Sequence, residues 1–175
     1  VIAYQEAITK NRLNDIAQNL YLVTSDICFF NENSLLLRVH NMLNLYGNLT
    51  SYWQVVQHQL LQQKVNFHYA TGHSPLAAKL LAITAWDQVT DNVDIIKQAI
   101  QNTSLQHTDL TTKAVEKLQR VGVHAIQALL KIPLADVAKR FDIEVATYIG
   151  KLTAQIPHPV GFFHPKKHFD RVIEL

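Results

Sequence analysis

Residues 24–40 read TSDICFFNENSLLLRVH, and the fold turns on them. Two apolar runs flank Asn31, Glu32 and Asn33, residues that favour turns because their side chains bond nearby backbone and tolerate unusual dihedrals. The pattern predicts a β-hairpin. In its second strand Leu35, Leu37 and Val39 share one face, and Ser34, Leu36, Arg38 and His40 share the other. A one-residue slip would turn the first face to solvent, so the register is strongly specified.

Upstream, AYQEAITKNRLNDIAQNLYLV places Ile8, Leu13, Ile16, Ala17 and Leu20 on one helical stripe. Downstream, LTSYWQVVQHQLLQQK predicts a helix with Trp53, Val56, Leu60 and Leu61 inward. VNFHYAT then alternates as a strand. Strand, helix and strand in succession make a βαβ unit whose crossover should be right-handed. Ser74 caps a further helix, SPLAAKLLAITAW, with Pro75 in its first turn. DQVTDNVD is a connection with at most a scrap of strand. The rest reads as short helices: IIKQAI, LTTKAVEKLQRV ending at Gly122, HAIQALLKI ending at Pro133, LADVAKRF and VATYIGKLTAQ. PHPVGFFHPKK is too rich in Pro and Gly for regular structure and reads as a linker.

The 175 residues suffice for one ordinary domain or two small ones, with a core needing no disulfide or metal. Cys28 is the single cysteine, which excludes a disulfide framework and fits a reducing compartment. No apolar run approaches the ~20 residues of a membrane span. Residues 1–100 carry six Lys/Arg and seven Asp/Glu, whereas residues 101–175 carry ten and seven. A second half at +3 permits a polyanion partner. The chain opens on Val1 and closes on a strand-like RVIEL, so a fragment of something longer is expected. His158, His164 and His168 share the linker without a nearby Cys, and no zinc site is assigned to them.

Helix, glycine turn, helix around Gly122 and Val123 is the helix–hairpin–helix arrangement, which offers backbone N–H groups to a DNA phosphate without reading sequence. Lys117, Arg120 and His124 flank that turn, and Lys139 and Arg140 form a second basic cluster. The alternative is a plain antiparallel helix pair.

Four blocks taken in order resemble one family. VTSDICFFNENSLLLRVHNMLNLYGN is similar to the palm hairpin of Y-family translesion DNA polymerases (the UmuC/DinB-like superfamily). HSPLAAKLLA resembles their Pro-Asn-Lys-x-Leu-Ala helix start, in the form taken by the catalytically inactive ImuB-type branch. LQRVGVHAIQALLKIPLADVAKRF resembles that branch's thumb, and FFHPKKHFDRVIEL its segment towards the little finger. The resemblance implies an α+β fold. A partial palm, with an antiparallel hairpin, a right-handed βαβ crossover and helices on one face, would occupy residues 1–100. A helix–hairpin–helix thumb would occupy 101–156, and a linker to a missing little finger 157–175.

Catalytic members hold two divalent cations with carboxylates, one Asp from a first strand absent here and an Asp-Glu pair from this hairpin. Laying LLLRV on their Leu-Asp-Val places that pair on Asn33 and Ser34, neither of which is charged. Glu32 would need a register slip or a bulge to serve instead. Arg38 and Ser74 would occupy the vestigial nucleotide or DNA side, with Lys79 matching a family lysine. The family's capping Thr falls on Ala125. The resemblance therefore implies a non-catalytic, DNA-contacting scaffold in DNA repair and SOS translesion mutagenesis, located in the cytoplasm at the nucleoid. It implies no resident metal or cofactor. Its partners would be DNA, bound weakly and without sequence preference, and an error-prone polymerase, a sliding clamp and a RecA-like protein. An active polymerase using Glu32 and acids outside this chain remains the alternative, as does a generic helix–hairpin–helix module.

Overall fold

The computed structural model describes residues 1–4 and 8–165. Four strands form one sheet: β1 (Ile2–Tyr4), β2 (Ile27–Asn31), β3 (Ser34–Leu37) and β4 (Phe67–Tyr69), in the order β2-β3-β1-β4. All neighbours are antiparallel. Because β3 and β4 both run against β1, they are parallel to each other, and the connection between them crosses over β1. The expected hairpin and βαβ unit are both present. β1 is a correction, since the sequence pattern continued a helix back to Ala3. Helix α1 spans only Lys10–Leu20, where the Thr9 hydroxyl caps it by accepting from the Arg12 N–H at 3.1 Å. Residues 5–7 of that expected helix, like His168 and the RVIEL strand, lie outside the described residues.

β3 also ends sooner than expected. His40 opens a short helix, α2 (His40–Tyr46), so it is not a strand residue. Gly47, at φ +83°, closes α2 in a conformation that costs an L side chain. Asn48 then caps α3 (Leu49–Gln62) by accepting from the Ser51 N–H at 2.8 Å. The buried stripe of α3 is Tyr52, Val56 and Leu60, while Leu61, expected inside, is 62% exposed. Spacing by four from Tyr52 reaches Leu60 and rotates Leu61 out to solvent. Burying Val56 and Leu60 contributes about 1.5–3 kcal/mol each. Tyr52 keeps its hydroxyl satisfied by a 2.7 Å hydrogen bond with Thr24 Oγ1.

The sheet has two covered faces. Ile2, Leu35, Leu37 and Ile27 pack with α1 and α3 in one cluster. Ala3 and Ala70 point the other way and join the second cluster, with α4 (Pro75–Ile83). Ser74 is the expected cap of α4, accepting from the Ala77 N–H at 3.0 Å with Pro75 next in line. Gly72 lets this happen, because a Cβ there would collide with the backbone of Ala77 and Ala78. The scrap of strand in 87–94 is a parallel bridge between Ala70 and Gln88.

The second cluster continues without a break into the helical half. That half comprises α5 (Val93–Gln101), α6 (Thr112–Arg120), α7 (Ile126–Leu130), α8 (Leu134–Arg140) and α9 (Ile143–Leu152); α6, α7 and α8 lie within segments read as helical, whereas α5 and α9 each begin two residues before theirs. Glu144 in the first turn of α9 accepts from the Thr111 N–H (2.7 Å) and hydroxyl (3.1 Å), clamping the start of α6. The Ser74 hydroxyl donates to the Leu152 carbonyl at 2.8 Å, joining the start of α4 to the end of α9. No helix among the described residues is long and apolar enough to cross a membrane.

Candidate polymerase-like face and helical hairpin

The turn between β2 and β3 is Glu32–Asn33. Phe29 pairs with Leu35 and Asn31 with Ser34, so one extra residue, Phe30, bulges from β2. The bulge falls two residues before Glu32, whose side chain stays exposed in the turn. Asn31 organises the turn: its Oδ1 accepts from the Asn33 N–H at 3.0 Å and from the Ser34 hydroxyl at 2.6 Å. Ser34 is fully buried and pairs with Ala3 of β1, which pairs in turn with His68 of β4. Across the middle of this face run a hydroxyl, a methyl and an imidazole. His68 Nδ1 lies 2.8 Å from Asp87 Oδ2, and the same carboxylate accepts from the Tyr69 N–H at 3.0 Å. Asp87 therefore bonds the edge of β4.

Arg38 and Lys79, expected on a vestigial nucleotide or DNA side, are engaged within the protein. Arg38 donates through Nε and Nη2 to Asp26 Oδ2 at 3.0 and 2.8 Å, and Asn41 donates to the same oxygen at 2.8 Å. The Arg38 hydrogen bond holds the Asp26 carboxyl below the usual carboxylate range. The other side of the Arg38 guanidinium lies over the Phe162 ring, 4.4 Å from its centroid. Ser74 is buried and spends its hydroxyl on the cap and on Leu152. Lys79 is only 14% exposed and bonds Asp109 at 2.6 Å, so it is not a free surface lysine. Beside these groups a cleft of about 730 Å³ opens between Leu36–His40, Gly72–Pro75 and the segment His158–Phe162. Sequence reasoning had given that last segment no place in the site.

α6 turns at Gly122 (φ +83°) into α7. Ala125 is the N-cap of α7 and makes no side-chain cap bond, as its methyl requires. The N–H groups of Gly122, Val123 and Ile126 bond the carbonyls of Gln119, Leu118 and Thr103, and Val123 is buried. A phosphate here would have to be met by His124 and the side chains rather than by those three amides. Lys117 and Arg120 are exposed, with Asp142 at 4.0 Å and Glu116 at 3.9 Å. Lys139 and Arg140 close α8, two residues before Asp142. Exposed pairs at these distances hold little energy and leave the cations available to a polyanion.

No protein-family model matches this sequence, and no curated protein matches it. Solved structures do. DinB from Sulfolobus solfataricus superposes with a TM-score of 0.67 over 87% of this chain and 46% of its own, at 15% identity. An insertion ternary complex of the Dbh DNA polymerase gives the same values. A Y-family DNA polymerase chimera of Dbh and Dpo4 also matches with a TM-score of 0.67 at 15% identity, over 90% of this chain and 48% of its own. The chain thus has the α+β fold of part of a Y-family DNA polymerase and spans about half the length of the polymerases it superposes on.

Proposed function

We propose that this chain is part of a non-catalytic Y-family polymerase homologue of the ImuB type, a DNA-contacting scaffold in DNA repair and SOS translesion mutagenesis. The observation that carries the reading is the chemistry of the β2–β3 turn. The resemblance sets the polymerase acids on Asn33 and Ser34, and here an amide stands beside a buried hydroxyl already bonded to Asn31. Mg²⁺ needs oxygen ligands with charge to offset its dehydration, and this pair supplies none. Residues 1–100 would be the later part of a palm, 101–156 a thumb, and 157–175 a linker towards a little finger. The protein would work in the cytoplasm at the nucleoid, beside an error-prone polymerase, a sliding clamp and a RecA-like protein.

DNA would be held by Lys117, Arg120, His124, Lys139 and Arg140 around the Gly122–Val123 turn. Arg38, Ser74 and Lys79 would be structural remnants of a nucleotide side. Binding should be weak, independent of sequence and steeply salt-dependent, because cation release drives it. Fluorescence anisotropy on a labelled duplex tests this. Lys117→Ala/Arg120→Ala and Lys139→Ala/Arg140→Ala should each weaken binding and flatten the log–log salt slope by about 0.9 for each phosphate left unneutralised. Unchanged affinity and slope in both variants would remove the thumb from the account.

A further inference from the structure

β3 is buried on both sides, although α1 and α3 cover only one of them. Much of the other cover comes from the chain that leaves α9. His158 packs on Phe30, with ring centroids 5.4 Å apart. The backbone of Gly161 comes up against Cys28, whose side chain is almost fully buried on the same face as Leu36. Phe162 lies under the Arg38 guanidinium. The Phe163 N–H then donates to the Ile27 carbonyl at 2.5 Å, on the outer edge of β2, and its ring meets Phe29 and Tyr21 edge-on at 5.3 and 6.4 Å. Six residues thus pass over the face that carries Ser34 and close around the sheet edge.

The attachments are few and separable. Pro157, Pro159 and Pro165 have no N–H, so the segment cannot extend its one edge bond into a ladder. His158 Nδ1 and His73 Nδ1 are both buried at the cleft without a hydrogen-bond partner, a cost that opening would relieve. Among the described residues the segment is held by ring contacts, the Arg38 cation, the Cys28 contact and one edge bond.

We propose that His158–Phe163 is a displaceable strap that shuts the cleft beside β3, so that a nucleic-acid strand must lift it before reaching the face around Ser34. The nature of the entrant rests on the function proposed above; the strap itself does not. When it lifts, Arg38 gives up Phe162 but keeps Asp26, leaving an oriented cation at the mouth of the cleft.

Cys28 is the only cysteine and lies beneath the strap, which makes its maleimide labelling rate a direct readout of opening. In the full protein, with any cysteine outside these 175 residues replaced by serine, Phe162→Ala/Phe163→Ala should label about tenfold faster than wild type, as expected when the cation–ring stacking and the edge-on ring packing are removed. Phe162→Leu keeps apolar bulk, guards against misfolding of the double variant, and should fall between. A primer–template duplex at low salt should speed labelling of wild type and bind the double variant several-fold more tightly. Equal labelling rates in all three proteins overturn the strap, whatever DNA does. Faster labelling in the variants, with DNA that binds wild type without changing its rate, overturns the gating. DNA bound by none of them sinks the proposed function and the entrant, while the variants' labelling rates still decide the strap.

Discussion

Ser34 on β3 stands directly opposite Ala3 on β1, and neither side chain carries a charge at the centre of a sheet that superposes on polymerases. Ser34 is sealed in place, its hydroxyl donating to Asn31. Placing an acid there is therefore a stability problem before it is a catalytic one. Ser34→Glu should destabilise the protein by about 3 kcal/mol or more, because it buries a carboxylate without a cation to pair it. Chemical denaturation gives the number, and a loss below about 1 kcal/mol would show that the turn can open to water.

Two glycines separate space from backbone conformation. Gly72→Ala would drive a methyl into the backbone of α4 and should cost several kcal/mol, on the order of other overpacked sites. Gly122→Ala meets no atom and is penalised only for φ +83°, by about 1 kcal/mol. Urea midpoints for the two variants should differ in that order. The reverse order would mean that α4 does not pack so closely on residue 72.

The buried Tyr52–Thr24 pair should behave as a coupled unit. Burial raises the Tyr52 phenol to about 12, so it stays protonated and can donate throughout the working range. Tyr52→Phe and Thr24→Val should each cost about 1 kcal/mol, and the double variant less than their sum. A double-mutant cycle measures that shortfall, and strict additivity would dissolve the pairing.

Asp26 gives a pH signature. Its folded pKa lies below the unfolded value, chiefly through Arg38, so it stabilises the fold at pH values above about 4. That contribution is lost as pH falls through the folded pKa. Asp26→Asn should remove the acid-side loss, and denaturation midpoints between about pH 7 and about pH 3 for the two proteins should converge at the low end.

Much of this architecture was legible from alternation and caps. The β2–β3 hairpin follows from Leu35 and Leu37 sharing a face, and Ser74-Pro75 announces the start of α4. Gly122 marks the turn between α6 and α7 in the same way. Three-residue β1 was not legible, because Ile2–Tyr4 is too short for any period to show and its strand state comes from pairing with β3 and β4. α2 was missed because His40–Tyr46 makes barely two turns, too few for a helical period to show. The engagement of Arg38 with Asp26 and Phe162, and of Lys79 with Asp109, joins residues far apart in sequence, which no local pattern encodes. The strap is the extreme case: Pro and Gly deny it periodicity, and only the sheet it crosses gives His158–Phe163 a place.

The most direct test is metal-dependent primer extension by the natural full-length protein, with Mg²⁺ and with Mn²⁺, beside its Glu32→Ala variant. The account predicts no extension above background from either protein. Extension by the wild type that Glu32→Ala abolishes would contradict it, because the exposed turn carboxylate would then be holding the metal that Asn33 and Ser34 do not.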